Sequence, residues 1–280
     1  MKKPVISILG LCGKSVFMKV DHFHKPGETL HAKSLYTEPG GKGFNQAVAA
    51  ARLGADVHFF AACGADVDGK ACEDFLTAEG IIPHIEIVDV PTAFASILTD
   101  KEGGNQVTVY RGSADSLSTG FILEHESVFA GSDIILLNFE VPDEANEAAL
   151  CLAEKYRKRA ILNPAPAHPC KPDFLSRFYC ITPNQAEAEI LECEMEREII
   201  TLGSEGALLI ENGVKSHFPA TKVTVKDTTG AGDCFNAALA VLLGEGRTLR
   251  EAVQFAQKAA AISVSSDFVM PSLPYRNQIE

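Results

Sequence analysis

The run Asp227-Thr228-Thr229-Gly230-Ala231-Gly232-Asp233-Cys234-Phe235-Asn236 decides the reading of this chain. A strand-like stretch, 222–226, precedes it, and a strong helical pattern, 234–243, follows. Three small residues opening a helix leave backbone N–H groups unpaired and sterically open. With the positive end of the helix dipole, those groups form an anion site. A phosphoryl group passing to an alcohol develops charge on its equatorial oxygens, which such N–H groups stabilise. The alcohol must also lose a proton, and Asp233 stands one residue past the last glycine, where a base is needed. Asp227, at the other end of the turn, is placed to position a cation or the loop. Alone, a glycine turn of this kind would read as an ordinary helix start with an acidic first turn. It fits neither GxxxxGK followed by Ser or Thr nor GxGxxG after a strand.

Outward from this run, short apolar stretches alternate with helical ones. The predicted strands are 5–9, 57–62, 134–138, 160–163, 179–182, 199–202 and 207–210. They are continuous apolar runs, as strands buried on both faces of a parallel sheet are. Glycines stop the helical stretches: Gly54 after 44–53, Gly80 after 70–79 and Gly244 after 235–243. Thr248 with Glu251 forms a capping-box pattern for a last long helix reaching about residue 264. The alternation predicts a three-layer α/β domain, a mostly parallel central sheet flanked by helices. Two segments, 14–38 and 92–111, carry β-type runs (16–20, 93–98, 107–110) with no helix between. They read as a small β lid on a single domain spanning 1–280.

The bulk properties exclude several classes. With 280 residues, 46% of them hydrophobic, the chain suffices for one large α/β core or two small ones. No apolar run spans a bilayer. The N-terminus superficially resembles a signal peptide, but its apolar part is too short and runs into the first strand, so the expected place is the cytoplasm. The eight cysteines show neither CxxC nor zinc spacing and read as free buried thiols. A net charge of −12 disfavours nucleic acid. It does not disfavour ATP, whose phosphates are held by N–H groups and Mg²⁺.

The segment DTTGAGDCFNAALA resembles the C-terminal signature of the ribokinase-like carbohydrate kinase family. Gly40-Gly41-Lys42-Gly43-Phe44-Asn45-Gln46-Ala47, with Gly64, Asp66 and Gly69 beyond it, resembles that family's N-terminal signature. The likeness extends to Pro26-Gly27-Glu28, Asn163-Pro164-Ala165-Pro166, Thr182-Pro183-Asn184-Gln185-Ala186-Glu187, the turn 201–206 and the tail through Pro274, and is strongest to the ribokinase branch. The resemblance implies a ribokinase-like fold and ATP-dependent phosphorylation of an alcohol on a sugar or sugar-like acceptor. It makes Asp233 the general base and Gly230, Ala231 and Gly232 the anion hole. Gly40, Gly41, Lys42, Asn45 and Glu140 would face the sugar. Asn184, Thr201, Gly203, Ser204, Gly206 and Gly232 would contact the nucleotide. Asn184 and Glu187 would organise Mg²⁺, partly through water, although their spacing is equally that of a helix cap. Asp227 would lie beside a monovalent cation, K⁺. The lid implies a homodimer, since unpaired strand edges invite pairing. A nucleoside kinase of the same family and a catalytically silent sugar- or nucleotide-binding regulator are the competing readings.

Three places depart from the family pattern. Gly13, Lys14 and Ser15 stand where ribokinases carry the Asn-x-Asp that bonds sugar hydroxyls. This puts ribose in doubt and offers Lys14 to a substrate anion. The acidic stretch 191–198 replaces a further helix. Phe268 stands where the cation loop commonly has glycine.

Overall fold

The computed structural model describes residues 3–102, 104–192 and 195–279. In chain order it begins β1 (Val5–Leu9), β2 (Gly13–Lys19), β3 (Ser34–Gly40), α1 (Lys42–Arg52), β4 (Asp56–Gly64), α2 (Val67–Ala78) and β5 (Ile82–Val88). Then come β6 (Ala93–Thr99), β7 (Asn105–Tyr110), α3 (Thr119–Glu124), α4 (Glu126–Gly131), β8 (Ile134–Asn138), α5 (Asp143–Lys155) and β9 (Arg159–Asn163). The rest is α6 (Pro172–Leu175), β10 (Cys180–Ile181), α7 (Gln185–Leu191), β11 (Arg197–Thr201), β12 (Ala207–Glu211), β13 (Val214–Phe218), α8 (Ala231–Gly244) and α9 (Leu249–Ser263).

Nine strands form one sheet in the order β13-β12-β11-β10-β9-β8-β1-β4-β5. It is parallel from β11 to β5, with β12 and β13 added antiparallel. Alternate residues of one strand serve opposite cores. Ile134 and Leu136 join α1, α2, α8 and α9 on one face. Ile135 and Leu137 join the α3–α5 side on the other. Burial on both faces explains why the central strands read as unbroken apolar runs. Helix α8 is buried from Asp233 to Leu243, and α1 from Gly43 to Ala50, so these two form the inner helical layer.

The second sheet is the lid: four strands in the order β3-β2-β6-β7. Two of its features tie it to the body. Tyr36 stacks on Phe268, ring centroids 3.9 Å apart, with Phe17 edge-on at 5.4 Å. The buried Glu38 accepts the N–H groups of Val269 at 2.9 Å and Met270 at 3.0 Å. Phe268 itself takes φ 63°, the left-handed conformation a glycine would adopt without strain.

Several expectations change. Residues 222–226 form no strand: Val223 and Val225 are exposed and no ladder reaches them. The run pairs with no sheet edge, and Lys226 N instead donates to Val264 O at 2.8 Å. The strand expected at 179–182 is only two residues long, and β5 and β13 lacked a strong enough apolar run to be expected. Gly244 is the last residue of α8 rather than its stop, and Gly246, with φ 82°, closes the turn. The Thr248–Glu251 capping box forms as expected. Of the seven described cysteines, five are buried, whereas Cys151 is exposed and Cys170 half-buried; Cys193 lies outside the described residues. Met1 and Lys2 of the N-terminus, and residues 193 and 194 of the acidic stretch, lie outside the described residues. No described helix is long and apolar enough to cross a membrane.

Candidate active site

The C-terminal ends of β9, β10 and β11 open into one cleft, where ligands settle in open α/β sheets. It encloses about 670 Å³ and is lined by Lys42, Asn163, Thr182, Asn184, Glu187, Thr201, Gly203, Ser204, Thr228, Gly230, Gly232, Asp233 and Asn236, among others. The two glycine-rich segments, far apart in sequence, thus meet across one space.

The turn 227–232 is held by Asp227. Its Oδ1 accepts from Thr229 N at 2.9 Å and Thr229 Oγ1 at 2.7 Å, and its Oδ2 from Phe268 N at 3.2 Å. Gly230 caps α8 at φ 77°, and a Cβ there would lie 2.7 Å from Val269. No side chain caps α8, and a Cβ on Gly232 would meet nothing within 4 Å. The Ala231 N–H turns back onto Thr228 O at 3.2 Å, and the remaining first-turn N–H groups border open space at the positive end of a 14-residue helix.

Asp233 sits just inside that turn, buried at 6% exposure but bordering the cleft. Asn45 Nδ2 donates to its Oδ2 at 2.8 Å and Gln46 Nε2 to its Oδ1 at 3.3 Å. Burial raises its pKa, and the nearby Glu187 charge adds to this, while Lys42, Asn45 and Gln46 oppose the rise. The pKa of Lys42 is raised as well, its ammonium favoured chiefly by the Asp233 charge and then by Glu140, against the effect of burial. Asp233 is thus a carboxylate tuned toward accepting a proton, with the half-buried Lys42 as its counter-charge.

On the acceptor side, Gly41 opens α1 at φ 127°, and a Cβ there would lie 2.2 Å from Leu11 O. Only glycine fits that crossing. Glu140 Oε2 accepts from Lys42 N at 2.6 Å and Gly43 N at 3.3 Å. Asn138 Oδ1 accepts from Glu140 N, and Arg111 donates to Glu140 O, which fixes the loop after β8. Burial pushes the Glu140 carboxyl up to about 7. Ser15 lies beside Gly40, on which a Cβ would stand 2.8 Å from Ser15 Oγ. Lys14 alternates to the other face of β2 and bonds Asp68 at 2.9 Å. It is committed to that ion pair, so the expectation that it meets a substrate anion is withdrawn.

On the nucleotide side, Asn184 and Glu187 form a complete capping box on α7. Glu187 uses Oε2 in that box, and burial raises its pKa. Thr201, Gly203 and Ser204 line the cleft, whereas Gly206 does not. A Cβ on Gly206 would lie 2.0 Å from Phe218 O, so that glycine serves the β11–β12 connection. Ala231, Asp227, Gly40, Gly41, Asn45 and Glu140 are not among the residues that line the cleft. Gln46, Asn163, Thr182 and Asn236 were given no role by sequence reasoning. Each is a polar residue within an apolar buried pattern, and that interruption is the signal that marks them.

The chain matches the pfkB family carbohydrate kinase description over residues 6–275. It is 35% identical to a ribokinase of Bacillus subtilis, covering 98% of each chain. A ribokinase structure from Thermotoga maritima aligns at TM-score 0.88 and 34% identity, covering 99% of this chain and 98% of that one. An Arabidopsis thaliana ribokinase complexed with ribose and ATP aligns at TM-score 0.88 and 25% identity, covering 99% and 98%.

Proposed function

The chain belongs to the pfkB family of carbohydrate kinases and is an ATP-dependent sugar kinase; from that premise we propose that Asp233 is its general base and the first turn of α8 its anion hole. The observation that carries this is the pairing, in one cleft, of a buried carboxylate with an uncapped helix N-terminus. The acceptor hydroxyl gives its proton to Asp233 as its oxygen attacks the terminal phosphorus of ATP, and ADP leaves. Charge developing on the transferred group is met by the N–H groups of Gly230 and Gly232 and by Lys42, while the Ala231 N–H, expected to join them, is held by Thr228 O. Asp233 needs a pKa high enough to accept the proton and low enough to be ionised beforehand. Burial and Lys42, acting in opposite senses, set that balance.

Gly40, Gly41, Lys42, Asn45 and Glu140 bind the acceptor, and Asn184, Thr201, Gly203 and Ser204 the nucleotide. The acceptor is a sugar of ribose size, as the ribokinase relatives suggest, with Ser15 offering one hydroxyl to it. Among the described residues no cluster of three ligands could hold a metal by itself. That fits Mg²⁺, which keeps several waters and needs one carboxylate plus phosphate oxygens. Glu187, a carboxylate destabilised by burial, suits it. Bound there, Mg²⁺ would neutralise phosphate charge. Asp227 spends both oxygens on N–H and hydroxyl donors, so a K⁺ ion beside it would draw on backbone carbonyls.

The lid exposes Leu35, Phe94, Val107, Val109 and Tyr110, and β7 is exposed along its length. Such an apolar sheet with two open edges supports a homodimer formed lid to lid. Light scattering at micromolar concentration tests this, and a monomer mass overturns it. ADP release against a panel of pentoses, hexoses and nucleosides tests the activity. The reading requires a sugar to be turned over best, and a nucleoside turned over best would overturn the acceptor assignment.

A further inference from the structure

Gln46 follows Asn45 on α1 and is fully buried. Its Nε2 carries two hydrogens: one goes to Asp233 Oδ1 at 3.3 Å, the other to Asn163 Oδ1 at 3.0 Å. Its carbonyl, Oε1, is buried without a partner among the described residues. Turning the amide over would set that carbonyl against the Asp233 carboxylate, acceptor against acceptor. An unanswered buried carbonyl is costly, and an apolar side chain of the same volume would fill the space without it. The amide is therefore kept for its donors. Asn45 repeats the pattern, with Nδ2 on Asp233 Oδ2 and Oδ1 unpartnered.

We infer that Gln46 is a positioning residue for the phosphoryl transfer: it fixes the rotation of the Asp233 carboxylate and anchors it to Asn163 at the end of β9. The inference rests on Asp233 being the base. Two successive amides of α1 hold the two carboxylate oxygens, so the carboxyl plane cannot turn away from the acceptor. Each oxygen keeps a lone pair for the incoming proton. N–H donors also favour the ionised carboxylate without adding charge. The charged groups facing Asp233 are Lys42 on α1, Glu140 after β8 and Glu187 on α7, and a change at Gln46 leaves all three in place.

The test uses the full chain with ATP, Mg²⁺ and D-ribose. Gln46→Met keeps the volume and removes both donors. It should lower kcat about 10- to 100-fold while the KM for ATP stays within about twofold. The acid limb of the kcat profile should move to higher pH, because the ionised base has lost a donor. Asn163→Ala, which cuts only the anchor, should move kcat and the limb in the same directions by less. If Gln46→Met does not fold, Asn163→Ala decides alone. Wild-type kcat, or a lowered kcat with an unmoved acid limb, overturns the inference and leaves Gln46 a packing residue. Asp233→Asn separates the two readings, since turnover surviving there overturns the base assignment itself.

Discussion

Two helices enter the cleft in the same way and end up doing opposite things. Both α1 and α8 begin at a glycine with positive φ, Gly41 and Gly230, and neither is capped by its own side chain. Each presents a positive dipole end to the same space. At α1 the protein supplies the anion: Glu140 takes the N–H groups of Lys42 and Gly43. At α8 no side chain does so. The difference teaches that a helix N-terminus is neither structural nor functional in itself. A built-in carboxylate turns one into a fixed wall, while a bare turn leaves the other to a ligand's phosphate.

Four substitutions sharpen or break this contrast. Asp233→Asn should lower turnover about 10³- to 10⁴-fold, read as ADP release, because the proton loses its acceptor beside the open helix. Gly230→Ala should cost about 1–3 kcal/mol in urea unfolding, since it combines φ 77° with a contact 2.7 Å from Val269. Gly232→Ala makes the finer cut. Its methyl meets nothing, so thermal stability should hold or rise by about 0.5–1 kcal/mol. Turnover should nonetheless fall about tenfold, as the methyl crowds the amides that meet the phosphoryl group. An unchanged rate would show that the turn is not the anion hole.

Glu140→Gln probes the plugged helix through pH. The folded pKa of Glu140, about 7, lies above its ordinary carboxylate value, so the native state holds the proton longer than the unfolded chain. Its contribution to stability is therefore present at low pH and lost as pH rises from about 4.3 to about 7. The Gln variant should flatten that decline in melting temperature, and an unaltered slope would remove Glu140 as its source.

Much of this site was legible before any coordinates because glycine and acid are rare in apolar helix patterns. Gly230, Gly232 and Asp233 interrupt what is otherwise a buried helix, and Gly41 does the same before α1. The strands β1, β8 and β9 were legible because burial on both faces makes them almost wholly apolar, with Ser7 inside β1 and Asn138, Arg159 and Asn163 only at strand ends. What local sequence could not show was pairing across distance. The run 222–226 has the look of a strand but pairs with none, and Lys14 shows its ion pair only once α2 brings Asp68 beside it. Gln46 was visible as a letter inside a motif, yet its bonds depend on α8 and β9 arriving from far along the chain.

The consecutive N–H groups of Phe268, Val269 and Met270 are shared between Asp227 and Glu38. One carboxylate belongs to the phosphate turn, the other to the edge strand of the lid. Three peptide units thus act as a tie bar between the two jaws of the enzyme. The upper jaw cannot lift at β3 without stripping two buried amides of their acceptor, at about 1–3 kcal/mol each. The start of β6 carries a second tie, Thr92 donating to both carboxylate oxygens of Asp66, so the lid is moored to the body at two separate strands.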